Sequence, residues 1–164
     1  HGTSDAAPLS RMAAANPVPP NANLHSLFLA GEFMTRILAV DPGDKRIGLA
    51  VSDPSGTIAR PLAVVKHVTR ITDAQAIVQW ADECEADRIL VGLALNAAGQ
   101  IGHQARKALR LVEALRAVTE LQVDTWDETD STSAALRLHG KKDGMTDARA
   151  AAVFLQEYLH AEKP

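Results

Sequence analysis

The segment Arg88-Ile-Leu-Val-Gly-Leu93 constrains this chain most: after Arg88 it is an unbroken apolar run, too short for a helix and without the alternation of a strand that has one wet face. Such a run reads as a strand buried on both faces, the kind found in parallel sheets covered by helices. Three strand-like segments precede it. Arg36–Asp41 is closed by Pro42-Gly43 and Arg46–Asp53 by Pro54-Ser-Gly56, while Thr57–His67 contains Pro61, which a sheet tolerates best at an edge. The short turns between them predict an antiparallel meander. Beyond them the period changes. Asp73–Ala86 carries Ile77, Val78, Trp80 and Ala81 at helical spacing, and Gly102–Val118 is amphipathic. Leu121–Trp126 reads as a fifth strand, Ser131–Leu138 as a short helix, Gly140–Gly144 as a basic loop, and Thr146–His160 as a last helix with Thr146 at its N-cap. The order βββαβαβαα predicts an α/β fold. Its mixed five-stranded sheet is a three-stranded antiparallel meander followed by parallel βα units, flanked by helices.

The length of 164 residues suits one domain. The chain opens on His1 rather than Met, and residues 1–33 are rich in Ala, Pro, Asn and Ser, so they read as a tag, linker or non-native extension before a domain spanning 34–164. Leu24, Leu27, Phe28 and Leu29 form an apolar patch too short, and without the basic flank, for a secretory signal. No apolar run approaches the ~18 residues of a membrane span. The net charge of −3 excludes a globally cationic nucleic-acid binder but leaves room for local basic patches, and 4% aromatic residues argue against a base-stacking platform. The single Cys84 excludes an internal disulfide or a Cys-rich zinc site and points to a reduced, cytoplasmic setting; it reads as a surface or packing thiol, the alternative being an intermolecular disulfide. Trp80 and Trp126 read as core or sheet cover.

Ligand sites in open α/β sheets gather outside the carboxyl ends of the strands. Three acidic positions are placed to meet there. Asp41 ends the first strand on the face of Ile37 and Ala39, where the alternative is a turn-initiating Asp before Pro-Gly. Asp127-Glu128 ends the fifth strand, where the alternative is an N-cap cluster. Asp147 opens the last helix, where the alternative is an acid set against the helix dipole. However, Asp147, Ala151, Phe154 and Tyr158 form one stripe at helical spacing, which aims the carboxylate at the sheet. An unpaired charge there is costly, and a metal ion or a basic partner relieves the cost. Carboxylates converging without Cys or a His set suit Mg²⁺ or Mn²⁺. Two such ions about 4 Å apart can activate water and stabilise the leaving oxygen of a phosphodiester.

Four motifs resemble one known family. Asp41-Pro-Gly-Asp-Lys-Arg-Ile-Gly-Leu-Ala-Val-Ser-Asp53 is similar to the opening signature of the YqgF/RuvX family, and Val91-Gly-Leu-Ala-Leu-Asn96 to its second motif, with Ala94 in place of Pro. Trp126-Asp-Glu128 followed by Ser131-Thr132 resembles the third motif, and Asp147–Gln156 the terminal helix. The resemblance covers residues 35–160. It implies an RNase H-like fold related to RuvC-type Holliday junction resolvases, and a metal-dependent nuclease using Mg²⁺ or Mn²⁺. Family members are assigned to trimming the 5′ end of pre-16S rRNA or to Holliday junction cleavage. It places the catalytic and metal-binding role on Asp41, Glu128 and Asp147. Thr129 and Asp130 stand where the family usually has Arg and Leu, which removes a phosphate contact and adds negative charge.

Candidate contacts to a nucleic-acid backbone, in structured RNA or branched DNA, come from several places. His103, Arg106, Lys107 and Arg110 form a basic stripe on one helix, equally readable as a solvated face. Lys45 and Arg46 sit in the first hairpin, and Lys141 and Lys142 in the Gly-bounded loop, where they are expected to add about two phosphate contacts to the salt dependence of binding. Asn96 either caps its loop or orients a phosphate or a water. Two rival readings remain: a non-catalytic nucleic-acid-binding module of the same fold, and an ATP-binding protein of the actin/sugar-kinase type, for which ~130 residues after Met34 are too few and no phosphate-binding Gly-Lys-Ser/Thr loop is present. Symmetric junction cleavage would need paired sites, so a homodimer is expected under that reading.

Overall fold

The computed structural model describes residues 35–129 and 143–163. The chain divides at Phe33/Met34 into two units, and the first lies outside the described residues. Five strands form one sheet: β1 Ile37–Pro42, β2 Arg46–Ser52, β3 Ala59–Lys66, β4 Arg88–Leu93 and β5 Gln122–Asp127, in the order β3-β2-β1-β4-β5. β1, β2 and β3 pair antiparallel, whereas β1, β4 and β5 run parallel. Three helices are described: α1 Arg70–Glu83, α2 His103–Val118 and α3 Thr146–Ala161. This is the mixed sheet that the change of period predicts. The expected helix Ser131–Leu138 and the loop with Lys141 and Lys142 lie outside the described residues.

Alternation along the central strands divides the core. Leu38, Val40, Ile47, Leu49, Ile89 and Val91 pack with Ala74, Ile77, Ala108, Leu111 and Leu115 of α1 and α2. Ile37, Ala39, Ala50 and Leu90 pack with Ala151, Phe154, Leu155, Tyr158 and Leu159 of α3. With Phe154 and Leu155 at 0% exposure, each contributes about 1.5–3 kcal/mol to holding α3 on the sheet. Trp126 covers this face and meets Tyr158 edge-on, with ring centroids 5.2 Å apart. Trp80 and the half-buried Cys84 pack against the opposite cluster, and burial pushes the Cys84 thiol up.

Several boundaries differ from expectation for local reasons. α1 begins at Arg70 rather than Asp73, because the Thr69 hydroxyl accepts the Thr72 N–H (3.2 Å) and caps the helix one turn earlier. It ends at Glu83, where Glu85 adopts φ 56° and Ala86 N–H reaches back to Ala81 O (2.8 Å). β3 begins at Ala59, since the Asp53 carboxylate takes the N–H groups of Thr57 (2.8 Å) and Ile58 (2.9 Å) into a turn. Pro61 lies on the edge strand as expected, at a register shift opposite Leu49/Ala50. Thr146 is not the N-cap of α3. Met145 occupies that position, and Asp143 closes the turn by accepting Met145 N–H (3.0 Å) and pairing with Arg149.

Candidate active site

Asp41 sits near the end of β1, 5% exposed, and its register partner on β2 is Gly48. Gly48 is where α3 touches the sheet. A Cβ there would stand 2.0 Å from the carbonyl oxygen of Asp147 and 2.9 Å from the nitrogen of Ala148. A bare backbone at this point brings the first turn of α3, and with it Asp147, alongside Asp41. Ala151, Phe154 and Tyr158 continue the stripe from Asp147 into the core, as their spacing predicts. Asp147 itself meets a basic partner: Arg46 Nε lies 2.9 Å from its Oδ2.

Glu128 follows β5 and is 4% exposed. On the adjacent strand, a Cβ on Gly92 would lie 3.0 Å from Glu128 Oε2 and 3.1 Å from the Phe154 ring, so this glycine leaves the space that the carboxylate occupies. The backbone around Glu128 is tied on both sides. Its N–H donates to Leu93 O (3.1 Å), the Asp127 carboxylate accepts Thr129 N–H (3.0 Å), and the Thr129 hydroxyl donates to Asp127 while accepting Leu95 N–H (3.0 Å). Thr129, which departs from the family pattern, therefore fastens the end of β5 to the segment after β4. Asp130 lies outside the described residues.

Asp41, Glu128 and Asp147 line one cavity of about 270 Å³, together with Pro42, Gly43, Asp44, Gly92 and Gln104. Among the described residues, all its charged side chains are carboxylates, the set that Mg²⁺ or Mn²⁺ prefers. Among the described residues no three His, Cys, Asp or Glu side chains already close on a single ion position. Asp147 is engaged with Arg46. Asp44, which the sequence did not single out, forms part of the cavity wall. A hydrogen bond from Gln104 (3.1 Å) and then Lys107 Nζ (3.2 Å) hold its carboxyl below the usual range.

The expected backbone contacts fall into three groups. Lys45 and Arg46 are exposed on the β1–β2 hairpin beside the cavity. Lys107 is bound to the same hairpin through Gly43 O (2.7 Å) and Asp44, whereas Arg106 and Arg110 line another cavity together with His67, Arg70, Asp73 and His103. Asn96 closes its own loop: its side-chain oxygen accepts the N–H groups of Ala98 (3.0 Å) and Gln100 (2.8 Å). Lys141 and Lys142 lie outside the described residues. The sequence reading missed His67, Arg70 and Asp73. The signal for them was Thr69 as a cap, which moves the start of α1 and places Asp73 in its first turn.

Comparison with known proteins places the chain in a family. The family model of RuvX, described as a Holliday junction resolvase, matches residues 35–161. A protein of Desulforamulus reducens named "Putative pre-16S rRNA nuclease" is 40% identical over 131 residues, covering 76% of this chain and 96% of the relative. A Thermoanaerobacter pseudethanolicus protein of the same name is 38% identical, covering 78% and 98%. Among solved structures, T. thermophilus RuvC in complex with Holliday junction substrate superimposes with a TM-score of 0.51 at 18% identity, over 77% of this chain and 94% of that one, which is a likeness of fold. The family match and the curated relatives together establish that this chain belongs to the RuvX family of Holliday junction resolvases.

Proposed function

We propose that this protein is a divalent-metal-dependent nuclease that hydrolyses phosphodiester bonds in structured nucleic acid. The observation that carries the reading is that Asp41, Glu128 and Asp147, which come from β1, the end of β5 and the start of α3, line one cavity. The backbones of Gly48 and Gly92 make room for two of them. Asp41, Glu128 and Asp147 are the residues that would hold Mg²⁺ or Mn²⁺. When bound, such an ion supplies an activated water and neutralises charge on the phosphate. The protein's own part is positioning. Burial keeps the Asp41 and Glu128 carboxylates from being fully hydrated, and the ties through Thr129 and Leu93 fix the backbone that carries Glu128. Arg46, exposed at the rim, holds Asp147, and with an ion on that carboxylate its guanidinium would be free to meet a phosphate.

The names of the curated relatives favour the 5′ end of pre-16S rRNA as substrate, and the family description keeps branched DNA as the second substrate class. The deciding experiment offers labelled structured RNA and four-way junction DNA with Mg²⁺ or Mn²⁺, with product ends mapped and Asp41→Asn as control. Cleavage by the unaltered protein and its loss in the variant are expected. Equal product from the two would indicate a contaminant and favour a non-catalytic nucleic-acid-binding module. If junction DNA is the substrate that is cut, a homodimer with paired sites is expected.

A further inference from the structure

The Pro42–Asp44 hairpin also lines a second, larger cavity of about 450 Å³. It is bounded by the hairpin, the start of α1 and one flank of α2. Among the described residues its wall carries Arg70, Arg106, Lys107 and Arg110, with His67 and His103, against two acids, Asp44 and Asp73. Both acids are already matched. Asp44 is held by Lys107 and Gln104. Asp73, 4% exposed at its side chain, accepts Val68 N–H (3.0 Å) and is bonded to His67 Nδ1. Among the described residues, the guanidinium groups of Arg70, Arg106 and Arg110 make no ion pair or hydrogen bond within the protein. Three guanidinium groups on one concavity, with its acids spent on other partners, form a site for an anion with several oxygen acceptors, and a phosphate suits their planar donor forks.

The His67–Asp73 pair adds direction. A buried carboxylate on Nδ1 fixes the ring, so Nε2 is the nitrogen left to face a ligand. His67 is held from its backbone as well, its N–H donating to Lys45 O (3.0 Å) on the hairpin. Asp73 is thus a positioning residue, and His67 is tied to the same hairpin that walls the carboxylate cavity. Pro42, Gly43 and Asp44 line both cavities.

We propose that this cavity binds an internal backbone phosphate of the nucleic-acid strand whose scissile bond lies at the carboxylate cavity, through Arg70, Arg106, Arg110 and His67. The identity of the ligand rests on the nuclease reading above; the affinity for phosphate does not. The basic stripe on α2 is then one wall of a built site, completed by residues of α1 and of the segment before it.

The test is metal-free, so that it is independent of cleavage. Arg70 and Arg110 are exposed, and Arg70→Gln/Arg110→Gln is expected to leave the melting temperature within about 2 °C. Inorganic phosphate titrated into ¹⁵N-labelled protein is expected to shift the His67 ring and the Thr69 and Arg70 amides, and to lose that effect in the double variant. Binding of a labelled single-stranded oligonucleotide, followed by anisotropy against salt, is expected to lose about 1.5 from its log–log slope. The loss should be equal for 5′-phosphorylated and 5′-hydroxyl oligonucleotides. An unchanged slope together with no phosphate-induced shift would overturn the site. A loss confined to the 5′-phosphorylated oligonucleotide would overturn the internal placement, and phosphate shifts without any oligonucleotide binding would overturn the strand as ligand. Failure of the nuclease reading shows itself separately, as absent cleavage with binding intact.

Discussion

Replacing Gly48 with Ala tests the geometry at its tightest point. The added methyl would meet the Asp147 carbonyl oxygen at 2.0 Å and its carbon at 2.3 Å, both backbone atoms that cannot rotate away. Restoring an ordinary contact of at least 3.4 Å requires the first turn of α3 to retreat by more than 1 Å, or β2 to bend. Neither is easy. Gly48 pairs with Asp41 on one side and Val64 on the other, and α3 is anchored by Phe154 and Leu155, both fully buried. Overpacking of this kind costs about 1–3 kcal/mol, and the upper end applies because backbone must move. In a folded unit of this size that lowers the melting temperature by roughly 10 °C. The same displacement carries Asp147 more than 1 Å away from its place beside Asp41 and Glu128, enough to slow a reaction roughly a hundredfold. Urea denaturation and single-turnover cleavage measure the two effects on one preparation. The mechanism also predicts that Ala50→Gly, on the same face of β2, loosens packing without selectively slowing cleavage. A Gly48→Ala protein with unchanged stability and a cleavage rate within twofold of the original would refute the claim that a bare backbone here sets the site.

Further outcomes follow from other contacts. Arg46→Gln removes a partner of Asp147 at an exposed position, so stability should change by less than about 1 kcal/mol while Mn²⁺ raises the melting temperature at severalfold lower concentration; an unaltered metal titration would show that Arg46 does not compete. Thr129→Val deletes the hydroxyl that bonds Asp127 and Leu95 and should cost about 1–2 kcal/mol in urea unfolding, with cleavage reduced beyond what the stability loss explains. Glu85→Gly relieves a left-handed residue at the end of α1 and should stabilise by up to about 1 kcal/mol, read from the urea midpoint. The Asp53 carboxyl is held down to about 2 by Ile58 N–H, then the Ser55 hydroxyl and Thr57 N–H; its stabilisation of the turn is full above the ordinary value of 3.8 and is lost as pH falls through about 2, which a ¹³C titration of that carboxyl can follow.

Much of the fold was legible because it is written in local periods. The apolar run Arg88–Leu93, the two Pro-Gly and Pro-Ser-Gly turns and the stripe from Asp147 to Tyr158 each reflect a side chain's immediate neighbours, and each appears in the structure within a residue or two. Caps were less legible. Thr69 rather than Asp73 starts α1, and Asp143 rather than Thr146 closes the turn before α3, because several nearby residues can fill the same capping role and only the chain's path selects one. Asn96 had two roles compatible with its position, and its contacts close the loop.

The sequence by itself singled out the candidate residues: carboxylates at strand and helix ends, on the faces that period two and period 3.6 assign to them. It could not determine their meeting, since Asp41, Glu128 and Asp147 are brought together by a parallel pairing of β1, β4 and β5 and by the descent of α3 onto Gly48. Nor did it determine that Arg46 takes up Asp147, or that the Pro42–Asp44 hairpin lines both an acidic cavity and a basic one. Those facts depend on strand register and on the distance between backbones, and both are fixed only once the whole sheet is assembled.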